Sequence, residues 1–381
     1  MRPITQEKID DLTSFMEQNS IDVILLADWE NARDVNMRYL SGHPMDASLV
    51  LTAGGEVCLI PWDIQLAEDH AQVDEILNFT EYANRWAGGA VDYIKRATKK
   101  DNPIIGVNEN IPYRFILYLQ ETIPNMKIFS EPKKLADKFN ELRATKSLQE
   151  LDKLIEAAKI GNKAIGDIRK FAEEKQGTEN DLSFIVMQQM RKYGAEDNSF
   201  PSLIANTDRA HMIHCHPSAG NNEYSKQGLA LIDFGALYEG YCSDITVPIT
   251  FGNLSAEQKK IRDTTLKAYE AAIEAIDIGV PLWKISKAAT DVMDEAGYVM
   301  PHSLGHGLGL VVHDSPSVRP KPTDPVELKT WDEVLVEDGM VFTIEPGVYV
   351  KGLGGQRLEN DVMIRKGKVE VYTNSELIEI E

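Results

Sequence analysis

The stretch that decides the fold is Leu231-Ile-Asp-Phe-Gly-Ala-Leu-Tyr-Glu-Gly-Tyr-Cys-Ser-Asp-Ile-Thr246. An apolar run over 229–232 is followed by a glycine-containing turn and by a second strand-like run over 245–249, which is the pattern of a β-hairpin. Asp233 and Asp244 stand at the inner ends of the two runs. Because Asp is depleted in strands and costly to bury, both residues need either solvent or a positively charged partner. A metal ion is one such partner.

The composition predicts a globular protein with two domains. At 381 residues the chain exceeds the usual size of a single core, and 43% of its residues are hydrophobic. No apolar run approaches the roughly 18 residues that a membrane span requires. Forty basic against 60 acidic residues give a net charge of −20, which argues against a nucleic acid or an anionic membrane as a partner.

The N-terminus and the cysteines predict a cytoplasmic protein. The segment 2–8 is polar and shows no apolar signal-peptide core. The cysteines Cys58, Cys215 and Cys242 are far apart in the sequence and form no Cys-x-x-Cys pair. We therefore expect a reducing compartment and neither a disulfide framework nor a zinc knuckle.

The order of the elements predicts where one domain ends and the next begins. The first 130 residues read as a small α/β domain with a mixed sheet, in which the segments around Gly54-Gly55 form a hairpin. A charged helical region follows, with a capping box at 147–150. We place the boundary there and predict domains 1–146 and 147–381. In the second half, strand pairs and helices occur in blocks, which predicts an α+β fold.

A second hairpin that carries acids is predicted further along the chain. It runs through Phe342-Thr-Ile-Glu345 and Gln356-Arg-Leu-Glu359, around a glycine-rich turn. Between the two hairpins lies a glycine-rich segment with His306. Four carboxylates and one imidazole favour Mn, Fe or Co, with Zn as an alternative. Two divalent ions would balance the four negative charges, so we predict a dinuclear site.

Four segments resemble, in order, the metal-binding motifs of the pita-bread metallopeptidases, which include aminopeptidase P, prolidase and methionine aminopeptidase. They are IDFGALYEGYCSDIT, HSLGHGLGLVVHD, GMVFTIEPGVY and QRLEN. Residues 1–130, with Arg38-Tyr-Leu-Ser-Gly42 and Ile60-Pro-Trp62, resemble the creatinase-type N-terminal domain of prolidase and aminopeptidase P. The resemblance implies a C-terminal pita-bread domain and a smaller N-terminal mixed-sheet α/β domain. It also implies a homodimer in which the N-terminal domain of one chain lies near the cleft of the other.

The same resemblance implies hydrolysis of a peptide bond, with Xaa-Pro as the leading substrate. A hydroxide held between two metal ions would attack, Mn²⁺ being the expected metal and Co²⁺, Fe²⁺ or Zn²⁺ the alternatives. Glu345 would take the proton of the attacking group. Asp244 and Glu359 would bridge the ions. The implied metal ligands are Asp233, Asp244, His306, Glu345 and Glu359.

Further matching positions imply roles in catalysis and substrate binding. His313 matches the family's histidine that stabilises the oxyanion, and His214 matches the one at the scissile amide or leaving group. His302 is expected beside the substrate, and Arg357 would pair with a substrate carboxylate.

Several of these assignments have an alternative. His216 competes with His214, and His302 can equally be a packing residue. Arg357 can instead be an ion-pair partner of the acid cluster. Cys215 and Cys242 are interpreted as packing residues near the site.

Departures from the family pattern leave the substrate open. Val247 stands where prolidases and aminopeptidases P commonly carry arginine, and Asn360-Asp-Val362 replaces the usual Asp-Thr run. The alternative function is that of a non-peptidase member of the superfamily: a creatinase-like amidinohydrolase, another small-amide hydrolase or a lyase of sulfonium compounds. From another class, a binding or scaffold protein with a vestigial site is the alternative.

Overall fold

A computed structural model describes residues 3–29, 33–83 and 85–381 of the chain. The chain divides into two compact units, Met1–Leu142 and Arg143–Glu381. The boundary predicted at residue 147 lies a few residues further along, at the N-cap of the next helix, and stays a prediction.

The first unit is built on one mixed sheet. Its strands are β1 Val23–Ala27, β2 Ala47–Thr52, β3 Val57–Pro61, β4 Glu75–Ile76, β5 Ile104–Val107 and β6 Lys127–Ile128. The helices in this part of the chain are α1 Gln6–Gln18, α2 Val35–Ser41, α3 Ile64–His70, α4 Arg85–Thr98, α5 Tyr113–Thr122 and α6 Pro132–Ala144, with a 3₁₀ turn at Phe79–Glu81. The strand order is β4-β3-β2-β1-β5-β6, and β1 pairs antiparallel with β2 but parallel with β5. The predicted mixed-sheet α/β domain is confirmed.

The second unit contains longer helices and many short strands. Its helices are α7 Leu148–Glu174, α8 Glu179–Lys192, α9 Ala256–Glu274 and α10 Leu282–Glu295, with 3₁₀ turns at Pro217–Ala219 and Glu327–Thr330. Its strands are β7 Asp197–Asn198, β8 Leu203–Ala205, β9 Gly228–Phe234, β10 Ala236–Tyr238, β11 Tyr241–Cys242, β12 Ile245–Phe251, β13 Gly305–Gly307, β14 Asp314–Val318, β15 Val341–Ile344, β16 Gly347–Val350, β17 Gly354–Arg357, β18 Asn360–Arg365, β19 Lys368–Val371 and β20 Ile378–Ile380.

Helices α7, α8 and α9 begin at capping boxes that the sequence predicts. In each box the N-cap hydroxyl accepts the N3 backbone N–H, and the N3 side chain accepts the N–H of the N-cap residue. Two donors that a helix start would otherwise leave unsatisfied are therefore paired. The three boxes are Ser147–Glu150, Thr178–Asp181 and Ser255–Gln258.

Two nested hairpins organise the second unit. In the first, β9 and β12 form a long antiparallel outer pair, and β10 and β11 form a short inner pair. In the second, β15 and β18 form the outer pair, and β16 and β17 the inner pair. The outer ladder of the second hairpin ends beside Glu345, where Pro346 has no N–H to donate.

Neighbouring residues of β12 face opposite sides of its sheet. Ile245, Val247 and Ile249 belong to the buried core that α7 and α8 cover. Thr246 turns the other way, and its hydroxyl donates to Glu359 Oε2 at 2.6 Å. Val247 is therefore a packing residue on the face away from the acids, so this departure from the family pattern does not change the lining of the site.

Within the described ranges, 3–29, 33–83 and 85–381, none of the helices is both long and apolar enough to cross a bilayer.

Two glycines provide a matched test of how closely the first hairpin packs. A Cβ at Gly235 would lie 1.8 Å from Ser243 O across the hairpin, whereas a Cβ at Gly166 in α7 would meet nothing within 4 Å. We expect Gly235→Ala to lower the free energy of unfolding by about 1–3 kcal/mol, because the strands must move apart. Gly166→Ala should raise it by about 0.5–1 kcal/mol, because alanine favours the helix and restricts the unfolded chain.

Chemical denaturation of the two variants beside the parent protein measures both changes. Unchanged stability in Gly235→Ala would contradict the close approach at the hairpin.

Candidate metal centre

The inner ends of the two nested hairpins present four acids. Asp233 lies near the end of β9, and Asp244 immediately precedes β12. Glu345 immediately follows β15, and Glu359 immediately precedes β18. Each acid thus stands where an outer strand pair gives way to an inner one. The two hairpins meet directly, since the backbone N–H of Glu359 donates to Thr246 O at 3.2 Å.

The imidazole of His306 lies against these acids. It is carried by β13, and its backbone N–H donates to Thr343 Oγ1 at 3.2 Å. His306 Nε2 is 3.6 Å from Asp244 Oδ2 and 3.4 Å from Glu345 Oε1. One ligand atom each from Asp244, His306 and Glu359 lie within 4.8 Å of one another. Donor atoms this close together can serve one ion.

Asp233 is tied to Arg357, which is only 2% exposed. Arg357 Nη2 donates to Asp233 Oδ2 at 2.5 Å, and Nε donates to Thr246 Oγ1 at 2.9 Å. Nη1 donates to Tyr349 Oη at 2.9 Å and to Ile213 O at 3.3 Å. These contacts favour the alternative in which Arg357 is a partner of the acid cluster. Its binding of a substrate carboxylate stays a prediction.

Burial raises the pKa of all four acids, and it is the largest cause in each case. The pKa of Glu345 rises to about 8, and those of Asp244 and Glu359 rise well above their usual values. Repulsion adds to burial, because Glu359 raises the pKa of Asp244 and Glu345 raises that of Glu359. Arg357 lowers the pKa of Asp233, yet burial keeps that pKa raised. The cluster needs more positive charge than one guanidinium supplies.

The donor set fits divalent metal ions. Within the part of the chain that the structure describes, Asp233 Oδ1 is buried and has no hydrogen-bond partner. Burial lowers the pKa of His306 to about 4, so that its ring is neutral at pH 7 and can offer a lone pair to a cation. A bound cation would also lower the carboxylate pKa values and remove their mutual repulsion.

Two polar residues that support the acids were given no role from the sequence. Asp361 Oδ2 accepts the backbone N–H of Asp244 at 3.1 Å, and burial raises the pKa of Asp361 well above its usual value. The hydroxyl of Thr246 donates to Glu359 at 2.6 Å. The signal in the sequence is a polar residue at an inward position of an otherwise apolar strand, but the pattern does not reveal which acid it contacts.

The predicted histidines lie around the acid cluster. The rings of His313 and His306 are 4.2 Å apart between centroids, and His313 is exposed. His302 Nδ1 is 2.7 Å from Ser303 O, and its Nε2 is 3.1 Å from Tyr349 Oη. His302 is thereby linked through Tyr349 to Arg357, and burial lowers its pKa to about 4. This neutral ring sits in the wall of the site, so both interpretations of His302 remain compatible with its position.

His214 and His216 are both exposed and both line the same cavity. Their electrostatic surroundings differ. A charge on His214 lowers the pKa of Asp233 and of His313, whereas His216 is not among the causes of either shift. The carbonyl of His216 instead accepts from Arg209 Nη2 at 2.5 Å. These electrostatic surroundings favour His214 over His216, and the catalytic role of His214 stays a prediction.

All of the predicted site residues line one cavity of about 540 Å³. Its wall combines the acids and histidines with apolar side chains. The apolar residues are Phe200, Pro201, Leu203, Ile213 and Val312. Such a lining can bind a small, partly apolar substrate next to a polar reaction centre.

The two cysteines that the sequence places near the site are both buried. Cys215 is buried, and burial raises the pKa of its thiol to about 11. A thiol with that pKa stays protonated at neutral pH and is a poor nucleophile. Cys242 is also buried, which agrees with a packing role.

Comparisons with known proteins agree with this architecture. Residues 152–366 match Metallopeptidase family M24, and residues 8–145 match the Creatinase/Prolidase N-terminal domain. The chain is similar to an Xaa-Pro dipeptidase of Pyrococcus horikoshii, with 31% identity over 381 residues and 98% of each protein covered. It is also similar to an Xaa-Pro dipeptidase of Pyrococcus furiosus, with 30% identity over 377 residues, 97% of this chain and 99% of that protein.

Solved structures of similar proteins match the fold over nearly the whole chain. An Xaa-Pro dipeptidase from Bacillus anthracis matches with a TM-score of 0.82 and 27% identity, over 98% of this chain and 99% of that one. The prolidase from Pyrococcus horikoshii OT3 matches with a TM-score of 0.80 and 27% identity, again over 98% and 99%. The predicted arrangement of a pita-bread domain after a smaller mixed-sheet α/β domain is confirmed. The chain belongs to metallopeptidase family M24, as its sequence, its fold and its two matched domains together establish.

Proposed function

We propose that the chain hydrolyses the peptide bond of Xaa-Pro substrates, as a prolidase or an aminopeptidase P does, with two divalent metal ions. The observation that carries the proposal is the meeting of four largely buried acids and His306 in the wall of one cavity of about 540 Å³. Membership of a metallopeptidase family implies divalent metal ions. Proline specificity is supported by the names of relatives that match along the whole chain, which are Xaa-Pro dipeptidases.

The proposed ligands are the five residues that the sequence pattern singles out. Mn²⁺ is the proposed metal, because the donors are mostly hard carboxylate oxygens with one imidazole nitrogen. When bound, the ions would polarise the scissile carbonyl and lower the pKa of water at the site. Two ions would also balance the four carboxylate charges. The ligands are Asp233, Asp244, His306, Glu345 and Glu359.

Three side chains would handle protons and charge during hydrolysis. Glu345 would accept a proton from the attacking water. The ring of His313, exposed to the cavity beside His306, would donate a hydrogen bond to the carbonyl oxygen as it gains negative charge. His214 would hold a proton near the leaving nitrogen. A proline nitrogen carries no hydrogen in the peptide, so it must gain one when it leaves as an amine.

The remaining wall would bind the substrate. His302 and Tyr349 form a hydrogen-bonded pair beside Arg357, and this pair would limit the substrate from one side. The apolar side chains of the cavity would pack against the proline ring. A homodimer and a cytoplasmic location stay predictions that rest on the family resemblance and on cysteine usage.

Metal removal and a substrate panel test the reaction. We expect the protein to hydrolyse Xaa-Pro dipeptides or the first bond of Xaa-Pro peptides, and not the matched Xaa-Ala compounds. A chelator should abolish turnover, and Mn²⁺ or Co²⁺ should restore it, because the acids and His306 need the ions to activate water. A ninhydrin assay of proline released from the dipeptides, and chromatography of the N-terminal residue released from the longer peptides, measure this result.

The controls of the same experiment separate the alternatives. Bound metal without turnover of any peptide in the panel would reject the peptidase proposal. Hydrolysis of a guanidino compound that persists after chelation would indicate a creatinase-like amidinohydrolase.

Neutralising one acid tests the metal ligands. We expect Asp244→Asn to weaken metal binding by more than roughly 100-fold, because loss of residues that merely support a ligand already costs about 10- to 100-fold. The metal-free variant should be more stable than the metal-free parent, because one repelling buried charge is gone. Calorimetric metal titration and thermal unfolding with and without Mn²⁺ measure both effects.

Glu239→Gln is the matched control for that variant. Glu239 is exposed at the tip of the same hairpin, where Lys153 Nζ lies 3.3 Å from its Oε2. We expect this change to alter neither metal affinity nor metal-free stability appreciably. Equal metal affinity in the Asp244→Asn variant and the control would remove Asp244 from the ligand set.

The histidine assignments predict losses in kcat without loss of metal. We expect His313→Ala to lower kcat by roughly 100- to 1,000-fold, as removal of an oxyanion donor does. His214→Ala should lower kcat by about 100-fold or more, as loss of a general acid does. His216→Ala is the matched control from the same segment and should leave kcat nearly unchanged. Steady-state kinetics, with metal analysis of each variant, measure these losses. A larger loss of kcat in His216→Ala than in His214→Ala would overturn the assignment.

A further inference from the structure

Residues 206–222, here termed the histidine loop, carry His214 and His216 to the cavity. Apart from the 3₁₀ turn Pro217–Ala219, the described part of this loop has no helix or strand. One backbone hydrogen bond reaches it from β8, where the Ile204 N–H donates to Cys215 O at 2.8 Å. Without a continuous backbone ladder, the position of the histidines depends also on specific side-chain contacts.

Glu179 ties the two ends of the histidine loop together. It is the first residue of α8, and it is fully buried. Its Oε1 accepts the backbone N–H of Asn206 at 2.9 Å, and its Oε2 accepts the backbone N–H of Asn222 at 3.0 Å. The Glu179 backbone N–H in turn donates to Asn222 O at 3.0 Å. One carboxylate thus fixes both the start and the end of the loop.

Arg209 extends this contact towards the histidines. Its Nη1 donates to Glu179 Oε2, and its Nη2 donates to His216 O at 2.5 Å. Gly220 makes room for the guanidinium, because a Cβ there would lie 2.5 Å from it. The loop is therefore wrapped around the Arg209 guanidinium, and a planar fork with two outward nitrogens is needed to reach both partners.

A third contact fixes the loop from the side of the acid cluster. Arg357 Nη1 donates to Ile213 O at 3.3 Å, directly before His214 in the chain. The backbone around His214 is thus held between the buried ion pair on one side and the acid cluster on the other. A shift of the ion pair would move His214 relative to the acids.

We propose that Glu179 and Arg209 are positioning residues that set the place of His214 at the metal centre. The inference rests on the function proposed for His214. A buried ion pair contributes little net stability, because the desolvation of its two charges offsets their attraction. Its contacts with both ends and the middle of one loop instead suit the fixing of a single loop conformation.

Arg209→Lys is the first test variant, because it keeps the charge beside Glu179 but loses the fork that reaches His216 O. We expect kcat to fall by up to roughly 100-fold, as misplacement of a reacting group by about 1 Å can cause, with KM and metal content little changed. Glu179→Gln is the second variant and should show the same pattern. Gly220→Ala is a third, which displaces the guanidinium without removing a charge.

Asp181→Asn is the matched control. Asp181 completes the capping box at the start of the same helix, is exposed, and contacts Thr178 rather than the histidine loop. This variant should lose thermal stability but keep its kcat. If kcat in the three test variants falls only as far as it does in Asp181→Asn at matched stability, the positioning role is rejected.

A double-mutant cycle with His214→Ala shows whether the pair acts through that histidine. Combining Arg209→Lys with His214→Ala should lower kcat/KM by no more than about twofold beyond His214→Ala alone. Fully multiplicative losses, or coupling to His216→Ala instead, would overturn the proposal. A protein that turns over no peptide at all would refute the proposed function rather than the positioning pair.

Hydrogen exchange tests the pair without any turnover. In Arg209→Lys and Glu179→Gln, the amides of 206–222 should exchange faster in both the Mn²⁺-loaded and the chelated protein, while those of β9 and β12 keep their protection. Unchanged exchange of 206–222 in both variants would overturn the positioning role, whatever the substrate proves to be.

Discussion

Four largely buried carboxylates clustered beside one guanidinium are the constraint on which the second unit depends. Each acid loses water on burial, and the acids repel one another, which is why their pKa values rise. Arg357 compensates only part of the charge, mostly at Asp233. A backbone able to hold such a cluster must be rigid before any cation arrives. The two outer strand pairs supply that rigidity, since each acid stands at the end of a continuous antiparallel ladder.

The features that could be predicted from the sequence are those that depend on residues close together in the chain. Hairpins and capping boxes depend on residues that are close in the chain, so the acids of both hairpins and the starts of α7, α8 and α9 were recognisable. The nesting of the hairpins could not be recognised from the sequence, because an apolar run does not show where one ladder ends and the next begins. The break beside Glu345 depends on Pro346, whose missing N–H matters only once the partner strand is known.

Partner choice within the site was also beyond the sequence. Arg357 lies two residues before Glu359, yet it binds Asp233, a residue far away in the chain. Asp361 supports the backbone of Asp244 in the other hairpin. Val247 stood out as a departure beside a proposed ligand, but strand alternation turns its side chain into the core. The contacts of Arg357 and Asp361 depend on how two hairpins meet, which local patterns do not encode.

The proposed metal ligands and the proposed catalytic histidines are held in place in different ways. The four acids stand at strand ends and His306 within a strand, so backbone ladders fix their spacing. His214 and His313 lie outside strands, and a buried arginine–carboxylate pair accompanies each. Arg209 pairs with Glu179 beneath the first, and Arg143 pairs with Asp314, which directly follows His313, at 3.3 Å.

Both pairs are almost fully buried, with side chains 8% and 0% exposed in the first and 7% and 1% in the second. Exposed ion pairs adopt many geometries and contribute little to stability. Buried pairs tolerate few geometries, because any misalignment leaves a charge without compensation. A buried pair can therefore give a loop the definition that a strand obtains from its ladder. In this chain the ladders fix the spacing of the acids, and a buried pair lies beside each of the histidines that face them.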